Sequence, residues 1–166
     1  MALAYVARFA TTRAKLEAYL ARKLRERGWA GEGEPQVAAL LERFTVAGYV
    51  DDAAWARARS GSLLRRGYGA RRVTEALGAA GIGEDLRKSL RPGEGALRRA
   101  ALAMARKRCF GPFGAAPPDR ARREKQLAAM LRAGHSLDSA RELVDAPSVE
   151  AAEDWAAQAG EDGACD

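Results

Sequence analysis

The sequence predicts an all-α protein, and three observations support that prediction. β-Branched residues are scarce, with one Ile and seven Val among 166 residues, whereas Ala occurs 38 times and Leu 17 times. Apolar residues recur at i, i+3, i+4 and i+7, which is the spacing of one helical face. Glycine and proline fall between these periodic segments. Because alanine buries little area, we expect several modest cores rather than one large core.

The first third of the chain predicts three helices. A short helix comes first, and Thr11 or Thr12 is suited to cap a second helix that ends at Gly28. Pro35 suits the first position of the third helix, because proline lacks the amide hydrogen that the first turn leaves unpaired.

The central segment repeats this plan with sharper signals. Asp51 and Asp52 stand where a helix over about 52–66 begins, and carboxylates cap such helix starts. A second helix ends at Gly81, for which we expect a left-handed backbone, and Ile82 opens a third, short helix.

A third copy of the plan follows. Phe110–Pro118 is too rich in Pro and Gly for regular structure, and Ser136 is suited to cap the last helix. Gly28, Gly81 and Gly134 end the middle helices at a constant spacing of 53 residues. The prediction is therefore an elongated, curved array of three tandem three-helix repeats with an acidic tail that is either a short helix or disordered. The segments are 1–50, 51–92, 93–146 and the tail 147–166.

Charge is distributed unevenly along the chain. The net charge is +6, but residues 52–132 carry 19 basic and 7 acidic residues, whereas residues 133–166 carry 1 and 9. A basic middle of this size favours an acidic or polyanionic partner. The alternative is that these are ordinary solvated helical faces.

The basic residues of the middle form three clusters that suit phosphate or carboxylate contacts. The first cluster flanks a glycine-marked corner at Gly67 and Gly69 and includes an aromatic ring that could stack on a base or enter a protein groove. The candidates are Arg65, Arg66, Tyr68, Arg71 and Arg72; Arg98, Arg99, Arg106, Lys107 and Arg108; and Arg122, Lys125 and Arg132.

The other aromatic residues divide into core and surface candidates. We expect Tyr19, Tyr49 and Trp55 to lie in the core, whereas Trp29 and Tyr68 stand at helix ends and are surface candidates.

Other residue types point away from catalysis, metals and membranes. Cys109 and Cys165 lack metal-ligand spacing, which fits a reducing compartment, and Cys109 is expected to behave as a small apolar residue. His135 is the only histidine and is expected to be a packing residue. No nucleophile–base arrangement, phosphate-binding fingerprint, signal peptide or membrane-length apolar run is present. We expect a cytoplasmic, monomeric, non-enzymatic protein without cofactors.

The central segment resembles the signature of the RecX family. The turn, cap and packing residues of that signature occur together as Gly48-Tyr49-Val50-Asp51-Asp52 followed by Trp55-Ala56, with Gly67 and Gly81-Ile82 matching its continuation. Residues from Arg122 to Asp138 resemble the family's third repeat, so the resemblance covers about residues 2–146. It implies a regulator, usually an inhibitor, that binds the filament of the RecA recombinase on single-stranded DNA.

The basic clusters are compatible with two functional hypotheses. Under the first, the protein contacts the RecA nucleoprotein filament and limits its ATP hydrolysis, strand exchange and growth, thereby modulating recombinational repair and the SOS response. Under the second, it is a nucleic-acid-binding helical module that competes directly for DNA.

Overall fold

The computed structural model describes residues 2–159, and this part of the chain is helical without any strand, which confirms the all-α prediction. It contains ten α-helices and one 3-10 turn: α1 Ala2–Arg8, α2 Arg13–Arg27, α3 Val37–Val46, α4 Asp52–Arg65, α5 Ala70–Ala79, α6 Glu84–Ser89, α7 Glu94–Arg108, the turn Gly111–Phe113, α8 Arg120–Arg132, α9 Leu137–Val144 and α10 Val149–Gln158. The three-repeat array stays a prediction.

The chain divides into two compact units. Within the described residues, unit 1 comprises 2–58 and 77–90, and unit 2 comprises 59–76 and 91–159. The division falls inside α4 and inside α5, so each of these helices supplies residues to both units.

Unit 1 is built around α2 and α3. Its core cluster contains Leu16 and Leu20 from α2, Leu41 and Phe44 from α3, and Val50. The two pairs on α2 and α3 belong to apolar stripes at helical spacing, whereas Val50 lies in the connection after α3.

Hydrogen bonds from capping residues tie the ends of the unit 1 helices together. Thr12 caps α2, as expected, and its buried hydroxyl also donates to the carbonyl of Ala80 at 2.6 Å. Asp51 caps α4 by accepting from the Ala54 amide at 2.8 Å. Asp52 instead accepts from the Arg13 amide of α2 at 2.8 Å, so the two neighbouring carboxylates serve different helices.

Unit 2 has a core of small and flexible side chains. Ala101, Met104 and Ala105 of α7 pack with Met130 of α8 and with the last two helices. The remaining buried members of this cluster are Ala140, Leu143, Val144 and Ala152. Alanine at the contacts lets helices approach closely, and methionine fills the irregular space that remains.

Two glycines are required at close approaches. Gly81 has φ +78, which confirms the left-handed backbone expected there, and a Cβ on it would overlap the side chain of Ala14 in unit 1. Gly134 has φ +96, and a Cβ on it would lie 2.5 Å from the backbone nitrogen of Arg72 in unit 2. Both positions exclude a side chain for backbone and packing reasons together.

Three element boundaries differ from the sequence predictions. Pro35 lies before α3 rather than at its first position, since the helix begins at Val37. Ile82 does not open α6 but is a buried residue in front of it. The Phe110–Pro118 connection, expected to be irregular, contains the 3-10 turn, and buried Gln126 of α8 accepts a hydrogen bond from the Gly111 amide of that turn at 3.0 Å.

Two side-chain predictions were wrong, and a third holds in part. Tyr49 is 55% exposed rather than core, with its ring tilted against Phe44. Cys109 is exposed rather than packed, and it ends α7 in a left-handed conformation. Trp55 is half-buried, with the ammonium of Lys15 4.4 Å from its ring centroid. Cys165 lies outside the described residues.

Candidate partner-binding surface

All candidate basic side chains belong to unit 2. Among residues 59–76 and 91–159, this unit holds 17 basic and 10 acidic residues, a net charge of +7. Unit 1, with 11 basic and 9 acidic residues, is close to neutral. The basic middle of the sequence therefore corresponds largely to one folded unit.

The α4–α5 corner is held against the α8–α9 corner by backbone hydrogen bonds. The Gly69 amide donates to the Ala133 carbonyl at 2.9 Å, and the Arg71 amide donates to the Gly134 carbonyl at 3.2 Å. This junction brings the first basic cluster next to the carboxyl end of α8, where Arg132 lies. Residues 60 positions apart thus share one surface, which we call the corner surface: Arg65, Arg66, Tyr68, Arg71, Arg72 and Arg132.

The arginines of the corner surface are engaged to different degrees. Arg71 is held internally, because its guanidinium donates to the Leu131 carbonyl at 2.8 Å and pairs with Glu75. Arg72 also reaches Glu75, at 3.3 Å. Arg66 lies 5.5 Å from the ring centroid of half-buried Tyr68.

Arg65 and Arg132 are exposed and form no ion pair within residues 2–159. Together with Arg66, they are the corner cations most available to an external anion.

The α7 cluster is divided between internal and external side chains. Arg98 is half-buried, pairs with Glu94, donates to the Trp155 carbonyl at 3.1 Å and covers the Trp155 ring at 4.9 Å. Arg106 pairs with Glu153 and lies 5.8 Å from the ring centroid of Phe113. Internal contacts thus occupy two members of the cluster. The others, Arg99, Lys107 and Arg108, are exposed and unpaired within the described chain.

Arg122, Lys125 and Arg132 lie along one exposed side of α8, at i, i+3 and i+10. Neighbouring Arg123 is different, because it forms an ion pair with Asp145. The hydrogen bond from Arg123 holds the pKa of the Asp145 carboxyl below its usual value. The α8 cluster is therefore a stripe of solvated cations beside a fixed ion pair.

His135 is buried at the junction of the α4–α5 and α8–α9 corners. It is 7% exposed, and its Nε2–H donates to the Gly67 carbonyl at 2.9 Å, which fixes the neutral tautomer. Burial lowers its pKa, and the hydrogen bond to Gly67 opposes that shift only partly. The predicted packing role of His135 is confirmed, and its partner is the corner glycine.

Several residues of the family signature have structural roles. Gly48 and Gly67 adopt positive φ at turns, and Ala56 is fully buried in α4. Their positions, with those of Asp51, Asp52 and Gly81, fix where α4 and α5 begin and end. Tyr49 and Trp55 remain partly accessible.

The described residues contain no cluster of three or more His, Cys, Asp or Glu side chains that could hold a metal ion. Within the same range, no helix is both long and apolar enough to cross a membrane.

Sequence reasoning missed the role of α10. Four residues of this helix are positioned against α7: Ala152 and Ala156 are buried, Trp155 lies under Arg98, and Glu153 pairs with Arg106. The i, i+3, i+4 spacing of Ala152, Trp155 and Ala156 was the available signal. This spacing is a weak signal, because two of the three residues are alanines and alanine adds little to an apolar stripe.

Comparison with known proteins identifies the family, although no family model matches the chain. The chain is 31% identical to "Regulatory protein RecX" of Myxococcus xanthus (strain DK1622) over 153 residues, which cover 87% of this chain and 82% of that protein. It is also 31% identical to "Regulatory protein RecX" of Agrobacterium fabrum over 147 residues, or 86% of this chain and 78% of that protein. At this identity and coverage, the chain belongs to the RecX family.

Proposed function

We propose that this protein is a non-enzymatic regulator of the RecA recombinase. It binds the RecA filament on single-stranded DNA and inhibits ATP hydrolysis, strand exchange and filament extension, and so modulates recombinational repair and the SOS response. The observation that carries the proposal is the similarity, over most of the chain, to two proteins named for a regulatory role.

The charge of unit 2 supports this proposal and suggests where contact occurs. Eight cations on the corner surface, α7 and α8 form no ion pair within residues 2–159, and they would meet acidic RecA side chains, DNA phosphate, or both. They are Arg65, Arg66, Arg99, Lys107, Arg108, Arg122, Lys125 and Arg132. Arg71, Arg98 and Arg106 hold the surface in shape through internal contacts. Stacked as three helical repeats, a monomer would present these cations along a filament groove.

The decisive experiment measures the rate of single-stranded-DNA-dependent ATP hydrolysis by RecA, with this protein added after filaments have formed. We expect inhibition at well below one molecule per RecA. Absence of inhibition at any ratio overturns the proposal.

Matched variants locate the contact. Replacing Arg65, Arg66 and Arg132 by Ala removes three charges from unit 2 and should weaken inhibition about tenfold, as expected when several charge-assisted contacts are lost. Replacing Arg25, Arg27 and Arg43 by Ala removes three exposed charges from unit 1 and should leave inhibition unchanged. If both triple variants weaken inhibition equally, net charge rather than the corner surface is responsible.

The alternative is a module that acts by competing for DNA, and the net charge of +7 on unit 2 favours it. It requires useful affinity for bare single-stranded DNA near physiological salt, with a steep fall as salt rises. Binding only to preformed filament would exclude this alternative.

A further inference from the structure

Unit 1 contains an apolar groove between α2 and α3, whereas the corner surface of unit 2 is basic. The groove has a volume of about 320 Å³ and lies under the loop that joins the two helices. Its apolar lining consists of Leu20, Leu24, Trp29, Pro35, Val37 and Leu40. This volume is at the low end of the range for ligand pockets, so the groove suits one or two large side chains.

Trp29 forms an exposed edge of the groove. The side chain is 53% exposed, although tryptophan gains much from burial. Its indole lies across Gly31, where a Cβ would come within 2.5 Å of the ring. The glycine therefore permits this position of the indole, and a side chain at residue 31 would displace it.

The rim of the groove is acidic in a chain that is basic overall. Glu32 and Glu34 line the groove, both are exposed, and neither forms an ion pair within residues 2–159. Unit 1 as a whole is close to neutral, so the two unpaired carboxylates favour a cationic ligand at this rim. The two carboxylates therefore favour a ligand that carries positive charge beside the apolar part that fills the groove.

We propose that this groove docks an amphipathic helix of a protein partner, with one or two large apolar side chains beside Trp29 and a Lys or Arg against Glu32 and Glu34. Helix-in-groove recognition uses the same combination of apolar anchors and flanking charge. The proposal is independent of the function proposed above, since it involves unit 1 and no basic cluster.

The test uses two labelled, helix-forming peptides of about 14 residues, or four turns. One combines Leu with Lys on the polar face, and the other has Glu in place of every Lys. Binding to the full chain is measured by fluorescence anisotropy near physiological salt. We expect the Leu/Lys peptide to bind about tenfold more tightly than the Leu/Glu peptide.

Variants assign that binding to the groove. Trp29→Ala and Gly31→Ala should each weaken binding of the Leu/Lys peptide, the former by about tenfold, the loss typical of an aromatic anchor. The double variant Glu32→Gln, Glu34→Gln should remove most of the preference between the two peptides. Val46→Ala and Gly83→Ala are the controls, since Val46 is 81% exposed and a Cβ at Gly83 meets nothing.

Three results would overturn the proposal. These are failure of the Leu/Lys peptide to bind, equal affinity of the two peptides, and unchanged affinity in Trp29→Ala with helicity retained by circular dichroism.

Discussion

The two units differ in what they leave exposed. Unit 1 has nearly balanced charge but exposes five large apolar side chains, whereas unit 2 has a net charge of +7 among its described residues and exposes two. Those of unit 1 are Leu3, Phe9, Trp29, Val46 and Tyr49, and those of unit 2 are Leu131 and Leu137. Contiguous exposed apolar area marks contact with protein, and concentrated positive charge marks contact with anions. The apolar groove of unit 1 and the basic residues of unit 2 therefore suit different partner chemistry.

The largest expected effect comes from two glycine substitutions, which test whether the two units unfold independently. Gly81→Val affects a close approach in unit 1, and Gly134→Val affects one in unit 2. Each adds backbone strain to steric overlap, so we expect a loss of about 4 kcal/mol in the free energy of unfolding. Hydrogen exchange read by mass spectrometry shows where protection is lost. Loss confined to the mutated unit means that each is stable by itself.

Two other glycines separate strain from overlap. Gly48 has φ +74 but nothing near a Cβ, so Gly48→Ala should cost only about 1–3 kcal/mol. Gly83 has an extended backbone with no close neighbour, so Gly83→Ala should be neutral or stabilising by up to about 1 kcal/mol. A Gly81→Val variant no less stable than Gly48→Ala would show that Ala14 simply moves aside.

A smaller effect concerns how α10 limits the positive surface of unit 2. Glu153 pairs with Arg106, whereas exposed Asp154 on the same helix forms no ion pair within the described chain. Glu153→Lys frees Arg106, and Asp154→Lys changes the net charge equally without freeing it. If α10 screens Arg106, affinity for RecA filaments or for single-stranded DNA should rise a few-fold more in Glu153→Lys. The assay is a titration at low salt, and an equal rise in the two variants would show that only net charge matters.

The sequence predicted local features better than packing between segments that are distant in the chain. The caps at Thr12 and Ser136 and the left-handed Gly81 were predictable, because each depends on a few neighbouring residues. The exposure of Tyr49 was not, because a periodic pattern does not show which faces find a partner. The hydrogen bond from Arg71 to the Leu131 carbonyl of α8 was not predictable either, because the two residues are 60 positions apart and only the fold brings them together. The charge clusters therefore predicted where positive charge concentrates but not which arginines are held by internal contacts.

The smallest expected effect is the pH dependence of unit 2. His135, the only histidine, is buried there, and burial lowers its pKa. The unfolded chain then binds a proton at a higher pH than the folded chain, so protonation favours unfolding. Stability is complete above the unfolded value of about 6.5 and decreases as pH falls from there towards the lowered pKa of the folded state, with a slope of at most about 1.4 kcal/mol per pH unit.

The measurement is unfolding by denaturant between about pH 7 and 5, followed by hydrogen exchange in each unit. Asp138 and Glu142 line the same pocket as His135, so a variant that removes only the histidine is needed to assign the slope. His135→Gln keeps a donor for the Gly67 carbonyl but removes the titration, and it should abolish the slope. A slope that persists in this variant, or that is equal in unit 1, would contradict the assignment, because unit 1 contains no histidine.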